Sequence, residues 1–165
     1  MEYSLIIPIY NEANTITSLI NEICDLDEIN EIIIIDDGSN DGTSKLLSKI
    51  KNIKLIINDK NTGKSTSIVK ALSKTKGKYV VLFDGDLEIK PNEINKLLTI
   101  HKKNKNILVK GKRVSLSPDI SMFNLGNKIL NYFFNILYNS SFNDVFCCLI
   151  IIEKKLLNSC LLYTS

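Results

Sequence analysis

The segment "EIIIIDDGSNDGT", residues 31–43, constrains this chain more than any other. Four consecutive isoleucines, Ile32 to Ile35, leave no polar face, so a strand here must be buried on both sides. A strand of that kind belongs inside a parallel sheet with helices packed over each face. The run stops at Asp36-Asp37-Gly38, and Thr43 stands where it can cap a following helix.

Similar short apolar runs recur along the chain. They predict strands at 4–9, 31–36, 53–57, 79–84 and 107–111. Amphipathic stretches between them predict helices at about 14–26, capped by Asn14, at 43–50, at 64–75, and from Pro91 to 101. This alternation predicts an α/β fold: a Rossmann-like, doubly wound, mostly parallel sheet with helices on both faces. Beyond 111 the pattern changes to a loop, an aromatic-rich helix at 122–138, a strand at 145–152 and a short helix at 153–162.

Composition narrows the function. The 165 residues suffice for one domain with a real core. A net charge of +3, nearly all from lysine, is too weak to mark a nucleic-acid surface, so no nucleic-acid partner is expected. The N-terminus carries Glu2 and Pro8 and does not read as a signal peptide. No uninterrupted apolar run reaches the ~18 residues of a spanning helix; Asn135, Asn139, Asn143 and Asp144 break the nearest one. No cysteine pair has C-x-x-C spacing, and Cys147-Cys148 lies in an apolar run, which predicts buried, reduced thiols and a cytoplasmic setting. His101, the single histidine, is expected at a helix end, in solvent or in a favourable dipole contact.

In open α/β sheets ligands bind beyond the carboxyl ends of the strands. Five such ends are polar here: Tyr10-Asn11-Glu12, Asp36 to Ser39, Asn58 to Gly63, Asp84-Gly85-Asp86 and Gly111-Lys112-Arg113. Gly63-Lys64-Ser65 matches the end of a P-loop, which would make the chain a nucleotide phosphohydrolase. Asn58, however, stands where that motif needs its first glycine, and the acids of the first two strand ends are left without a role. Asp84 and Asp86 suit a Mg²⁺ or Mn²⁺ ion better, with Gly85 giving the turn freedom to aim both carboxylates at one point. D-G-D is also an ordinary solvated turn.

Taken in order, "SLIIPIYNEANTI", "EIIIIDDGSNDGT", "NTGKSTSIVKAL", "GKYVVLFDGDLEIKPNEI" and "GKR" resemble the family 2 glycosyltransferases of the GT-A fold. The D-G-D-L-E-x-x-P-x-x-I form, with the later "GNK" and "ND" segments, is most similar to polyprenyl-phosphate hexose synthases such as dolichol-phosphate mannose synthase. The resemblance spans residues 3 to about 157. It implies a catalytic domain over 1–157, incomplete at its C-terminus, and a tail over 158–165 that reads as non-native.

The resemblance also implies site residues. Pro8, Tyr10 and Glu12 match the opening motif that holds the nucleoside, and Ile35 and Asp37 match positions contacting base and ribose. Asp84, Gly85 and Asp86 match the motif that meets diphosphate and metal, with Glu88 a further candidate for the metal sphere. Arg113, the only arginine, matches a phosphate-binding arginine, for which its planar fork is suited.

The implied activity is an inverting transfer of hexose from GDP- or UDP-hexose to a lipid phosphate, at the cytoplasmic face of a membrane. The alternatives are an inactive nucleotide-sugar-binding piece and the P-loop enzyme. Were the acceptor a sugar hydroxyl, a carboxylate base is needed, and Asp144 is the candidate; as a turn acid or cap it reads equally well. Phe123, Leu130, Phe133, Phe134, Leu137 and Tyr138 form either an interfacial face near lipid or part of the core. Where the family shows a glycine and a Lys or Arg, this chain reads Cys147-Cys148-Leu149-Ile150.

Overall fold

The computed structural model describes residues 2–104, 108–112, 122–137, 139–141, 144 and 147–162. The first half alternates strictly: β1 (Tyr3–Ile9), α1 (Ile16–Cys24), β2 (Glu31–Asp36), α2 (Thr43–Leu47), β3 (Lys54–Ile57), α3 (Lys64–Leu72), β4 (Tyr79–Leu82) and α4 (Glu93–Lys103). There follow β5 (Val109–Lys110), α5 (Met122–Leu137), β6 (Ile150–Glu153) and α6 (Lys154–Leu162).

The strands form one sheet in the order β3-β2-β1-β4-β6-β5. The pairs β1–β2, β1–β4 and β2–β3 are parallel, whereas β6 runs antiparallel to both β4 and β5. The expected doubly wound sheet is therefore present as a mixed six-stranded sheet. Its winding reverses at β1, which lies between β2 and β4 and is the place where such sheets open a crevice.

The isoleucine run behaves as its lack of a polar face requires. Ile33, Ile34 and Ile35 are fully buried, paired in register with Ile6, Ile7 and Pro8. Period-2 alternation sends Ile34 into one core and Ile33 and Ile35 into the other. The larger core joins Leu5 and Ile7 to Ile16, Leu19 and Ile23 of α1, Leu47 of α2 and Ile94, Leu97 and Leu98 of α4. The smaller one joins Ile6, Ile33, Ile35 and Val80 to Ala71 and Leu72 of α3.

Several boundaries differ from the sequence expectation. Helix α1 begins at Ile16 because the Glu12 carbonyl accepts the N–H groups of Thr15 and Ile16, so Thr15 and not Asn14 precedes the first turn. Regular β6 starts only at Ile150, with Cys147 to Leu149 irregular. Helix α6 extends to Leu162, into the expected tail.

His101 is not at the surface. It is fully buried on the inner face of α4, with Nδ1 3.0 Å from the Tyr3 hydroxyl and its ring edge-on to Tyr79 at 4.4 Å. Cys147 is buried as expected, but Cys148 is only half-buried. Of the aromatic-rich helix, Leu130, Phe133 and Leu137 are exposed together with Ile129, Tyr132 and Ile136, and Phe134 is half-buried. These exposed side chains of α5 do not close the core. The Phe123 side chain and Tyr138 lie outside the described residues. Among the described residues no helix is long and apolar enough to cross a membrane.

Candidate active site

A cleft of about 410 Å³ opens at the carboxyl ends of β1, β2 and β4. It brings together Pro8, Tyr10, Glu12, Asp37, Asp84, Gly85 and Asp86, with Ile9, Asn61, Gly63 and Lys64 completing the wall. Seven of the expected site residues thus share one crevice at the winding reversal of the sheet.

The first two strand ends are knitted to each other. Asp41 accepts the Ala13 N–H at 2.9 Å through one oxygen and the N–H and hydroxyl of Thr43, at 3.0 and 2.6 Å, through the other. These bonds hold its carboxyl below the usual range, the Thr43 hydroxyl contributing most. Thr43 Oγ1 in turn accepts the Glu12 N–H at 2.9 Å. The Asn11 N–H donates to Ser39 Oγ at 2.8 Å, and the Asn40 N–H to Asn11 Oδ1 at 2.9 Å. Asn11 reaches this position at φ 56°, a left-handed conformation that asparagine tolerates better than most residues.

Asp36 and Asp37 have different jobs. Asp36 is fully buried and accepts the Ser39 N–H at 3.0 Å together with the Ser39 and Ser44 hydroxyls, so it ties down its own loop. Asp37 Oδ1 accepts from Asn58 Nδ2 at 2.7 Å, from the Thr62 N–H at 2.9 Å and from its hydroxyl at 2.8 Å. Asp37 Oδ2 accepts the Gly63 N–H at 2.8 Å. Burial works against the Asp37 charge, but these hydrogen bonds outweigh it and hold the carboxyl well below the usual carboxylate range.

The loop resembling a P-loop is thereby accounted for. Its backbone N–H groups at Thr62 and Gly63 wrap a carboxylate of the protein itself. Gly63 supplies the required backbone shape at φ 90°. The lysine of "GKS" points elsewhere: Lys64 Nζ lies 2.5 Å from Asp84 Oδ1 and donates to Cys148 Sγ at 3.1 Å. This is not a phosphate cradle.

The fourth strand end is more open. Asp84 is half-buried and Asp86 exposed; Asp86 Oδ1 accepts the Glu88 N–H at 3.0 Å. The left-handed residue of this turn is Leu87, at φ 58°, and not Gly85. Gly85 is required for space: a Cβ there would fall 2.4 Å from Ile9 Cγ2. Both carboxylates offer the hard oxygens that Mg²⁺ or Mn²⁺ prefers, and Mg²⁺ is commonly held by one or two carboxylates plus substrate phosphates. Among the described residues no group of three or more acids, histidines or cysteines forms a closed metal site. The donor set suits a cation that arrives with a phosphate.

Other candidates lie elsewhere. The Ile35 side chain packs in the smaller core on the α3 face, away from the cleft, because the alternation that buries Ile33 buries it too. Glu88 is exposed, Asp144 is half-buried, and neither lines the cleft. Arg113 lies outside the described residues. Sequence reasoning held Asn61 only as part of the polar strand end Asn58 to Gly63 and read Lys64 as facing solvent or assisting the donor; the available signal was their place after a strand end that faces the cleft.

A model of the glycosyl transferase family 2 matches residues 4–159. The chain belongs to this family. The family 2 domain is 26% identical over 167 residues to the undecaprenyl-phosphate 4-deoxy-4-formamido-L-arabinose transferase of Proteus mirabilis, covering 96% of this chain and 51% of that protein. Its counterpart in Aeromonas hydrophila is 34% identical over 104 residues, 58% of this chain and 32% of that protein. The chain therefore spans between 32% and 51% of the length of these curated relatives. Among solved structures, glucosyl-3-phosphoglycerate synthase from Mycobacterium tuberculosis superposes with a TM-score of 0.74 at 23% identity, over 96% of this chain and 58% of that one. That structure is a complex with uridine diphosphate. The same enzyme with Mn²⁺ and UDP-glucose superposes at 0.72 and 22% identity, over 96% of this chain and 58% of that one. The family 2 domain has the GT-A fold of these glycosyltransferases.

Proposed function

We propose that this family 2 domain binds a nucleoside diphosphate hexose with a divalent cation and serves transfer of the hexose, with inversion, to a polyprenyl phosphate in glycan or cell-envelope biosynthesis. The observation that carries this reading is the meeting of Asp84 and Asp86 with Pro8, Tyr10, Glu12 and Asp37 in one cleft. The undecaprenyl-phosphate sugar transferases among its relatives support the acceptor class.

Each residue has a distinct part. Pro8, Tyr10 and Glu12 wall the nucleoside side, and Asp37 holds the loop from Asn58 to Gly63 that lies beside it. Asp84 and Asp86 would hold Mg²⁺ or Mn²⁺. The ion, when bound, supplies the positive charge that stabilises a diphosphate leaving group. Arg113 is assigned to the same phosphates. A lipid phosphate brings an oxygen that is already anionic and needs little general-base help. Asp144 enters only if the acceptor is a hydroxyl. The exposed Leu130, Phe133, Ile136 and Leu137 of α5 give the domain an apolar face suited to peripheral contact with the membrane that carries such a lipid.

Calorimetry with UDP and GDP, with and without Mn²⁺, tests the donor half. Metal-dependent binding that disappears in Asp86→Ala supports it. ATP or GTP binding that depends on Lys64 and is indifferent to Asp86 overturns it. Incorporation of labelled hexose into a polyprenyl phosphate tests the acceptor half; labelling of a saccharide or protein alone overturns the lipid assignment. Donor binding without any transfer points to the inactive nucleotide-sugar-binding piece.

A further inference from the structure

We propose that Lys64 is an exchangeable counterion: in the ligand-free chain it occupies Asp84, and it leaves that carboxylate only when a cation and a diphosphate enter together. This rests on the donor reading above. Lys64 Nζ stands 2.5 Å from Asp84 Oδ1, one of the two carboxylates a cation would use. Mg²⁺ takes its oxygens at about 2.0–2.1 Å, so a metal on Asp84 would stand within a few ångströms of the ammonium that already holds Oδ1. Like charges that close repel, and metal and lysine compete for the one carboxylate.

The lysine is built to move while its backbone stays. It is the first residue of α3, directly after Gly63, whose N–H is anchored on Asp37. Only the four-carbon stem spans the cleft. The side chains of the pair are 47% and 25% exposed, and ion pairs with that much water access are weak enough to exchange.

The second contact explains why metal alone is a poor trigger. Leaving Asp84, Lys64 would keep, among its contacts with the described residues, Cys148 Sγ, 3.1 Å away. A thiol is a weak acceptor and a poor partner for an ammonium. A diphosphate entering the same cleft supplies the missing anion. Lysine binds phosphate as a point charge and needs no fixed geometry to do so. Cation and diphosphate therefore strengthen each other's binding, and by linkage the effect is reciprocal.

Mn²⁺ titrations followed by the electron-spin resonance of the free ion test this on the wild-type chain, Lys64→Met and Lys64→Arg, with and without UDP or GDP. In the wild type Mn²⁺ alone binds weakly and the nucleotide strengthens it by about tenfold or more. In Lys64→Met, Mn²⁺ alone binds several-fold tighter and most of the nucleotide's enhancement is gone. Lys64→Arg keeps the wild-type pattern, and Lys64→Gln repeats the methionine result with a polar side chain. Unchanged or weaker Mn²⁺ binding by Lys64→Met, with the Mn²⁺–nucleotide complex still bound, overturns the counterion role and leaves the donor reading intact. Failure of every chain to bind Mn²⁺ with either nucleotide overturns both.

Discussion

Two pairs of acids stand at strand ends on either side of β1, and the protein treats them in opposite ways. Asp36 and Asp37, after β2, are 0% and 4% exposed, and between them they accept hydrogen bonds from Ser39, Ser44, Asn58, Thr62 and Gly63. Asp84 and Asp86, after β4, are half-buried and exposed, held by a lysine and by the N–H of Glu88. One pair is spent on internal architecture. The other keeps lone pairs available to a ligand. Acid spacing does not separate the two; the donors surrounding each carboxylate do.

The largest expected effect is on the β2 side. Asp37→Asn removes the charge and turns an NH₂ toward donors, so that either the Gly63 N–H or the Asn58 and Thr62 donors lose their acceptor, and it should cost about 3 kcal/mol in urea unfolding. A loss below about 0.5 kcal/mol would show that the clasp on the 58–63 loop is dispensable. Gly85→Ala comes next, at about 2 kcal/mol, since the new methyl overlaps Ile9. Adding Ile9→Ala removes the overlapping group, and the pair should then cost less than the sum of the single changes. Strict additivity would locate the glycine's role somewhere other than close packing.

Acid sharpens the contrast further. The Asp37 carboxyl is more acidic in the folded chain than the ordinary value of about 3.9. Its stabilisation is therefore complete above that value and is lost as pH falls through it toward the folded one. Urea midpoints should drop for the wild type between about pH 5 and pH 3 and drop less for Asp37→Asn. Parallel curves would remove Asp37 from the acid response. The smallest effect on stability is expected at Asp86→Ala, within about 0.5 kcal/mol, because the side chain is exposed. The same change should weaken Mn²⁺-dependent UDP or GDP binding about tenfold or more. A large stability loss with binding intact would reverse the contrast between the two pairs.

Much of this was legible before the structure. The strands of the parallel half stand out because burial on both faces demands unbroken apolar runs. Helix starts were less legible, since the chain chooses among adjacent polar residues by which carbonyl is in place, and the Glu12 carbonyl favoured Thr15 over Asn14. The burial of His101 was readable in principle, because Ile94, Leu97, Leu98 and His101 share one helical stripe. Its partners Tyr3 and Tyr79, on two other elements, were not. Ile35 shows the converse: a motif position suggested a contact, and strand alternation turned the side chain into the core.

By itself the sequence determined the alternating α/β architecture, the family, and the strand ends where the chemistry gathers, because these depend on local periodicity and motif order. Only the tertiary structure decided which acids are available. The Asn58–Gly63 loop folds onto Asp37 and not onto a phosphate, Lys64 reaches across to Asp84 rather than out to solvent, and Gly85 is needed for the methyl of Ile9. Each of these is a contact between residues at least 20 positions apart, set by the packing of the sheet and carried by no local pattern.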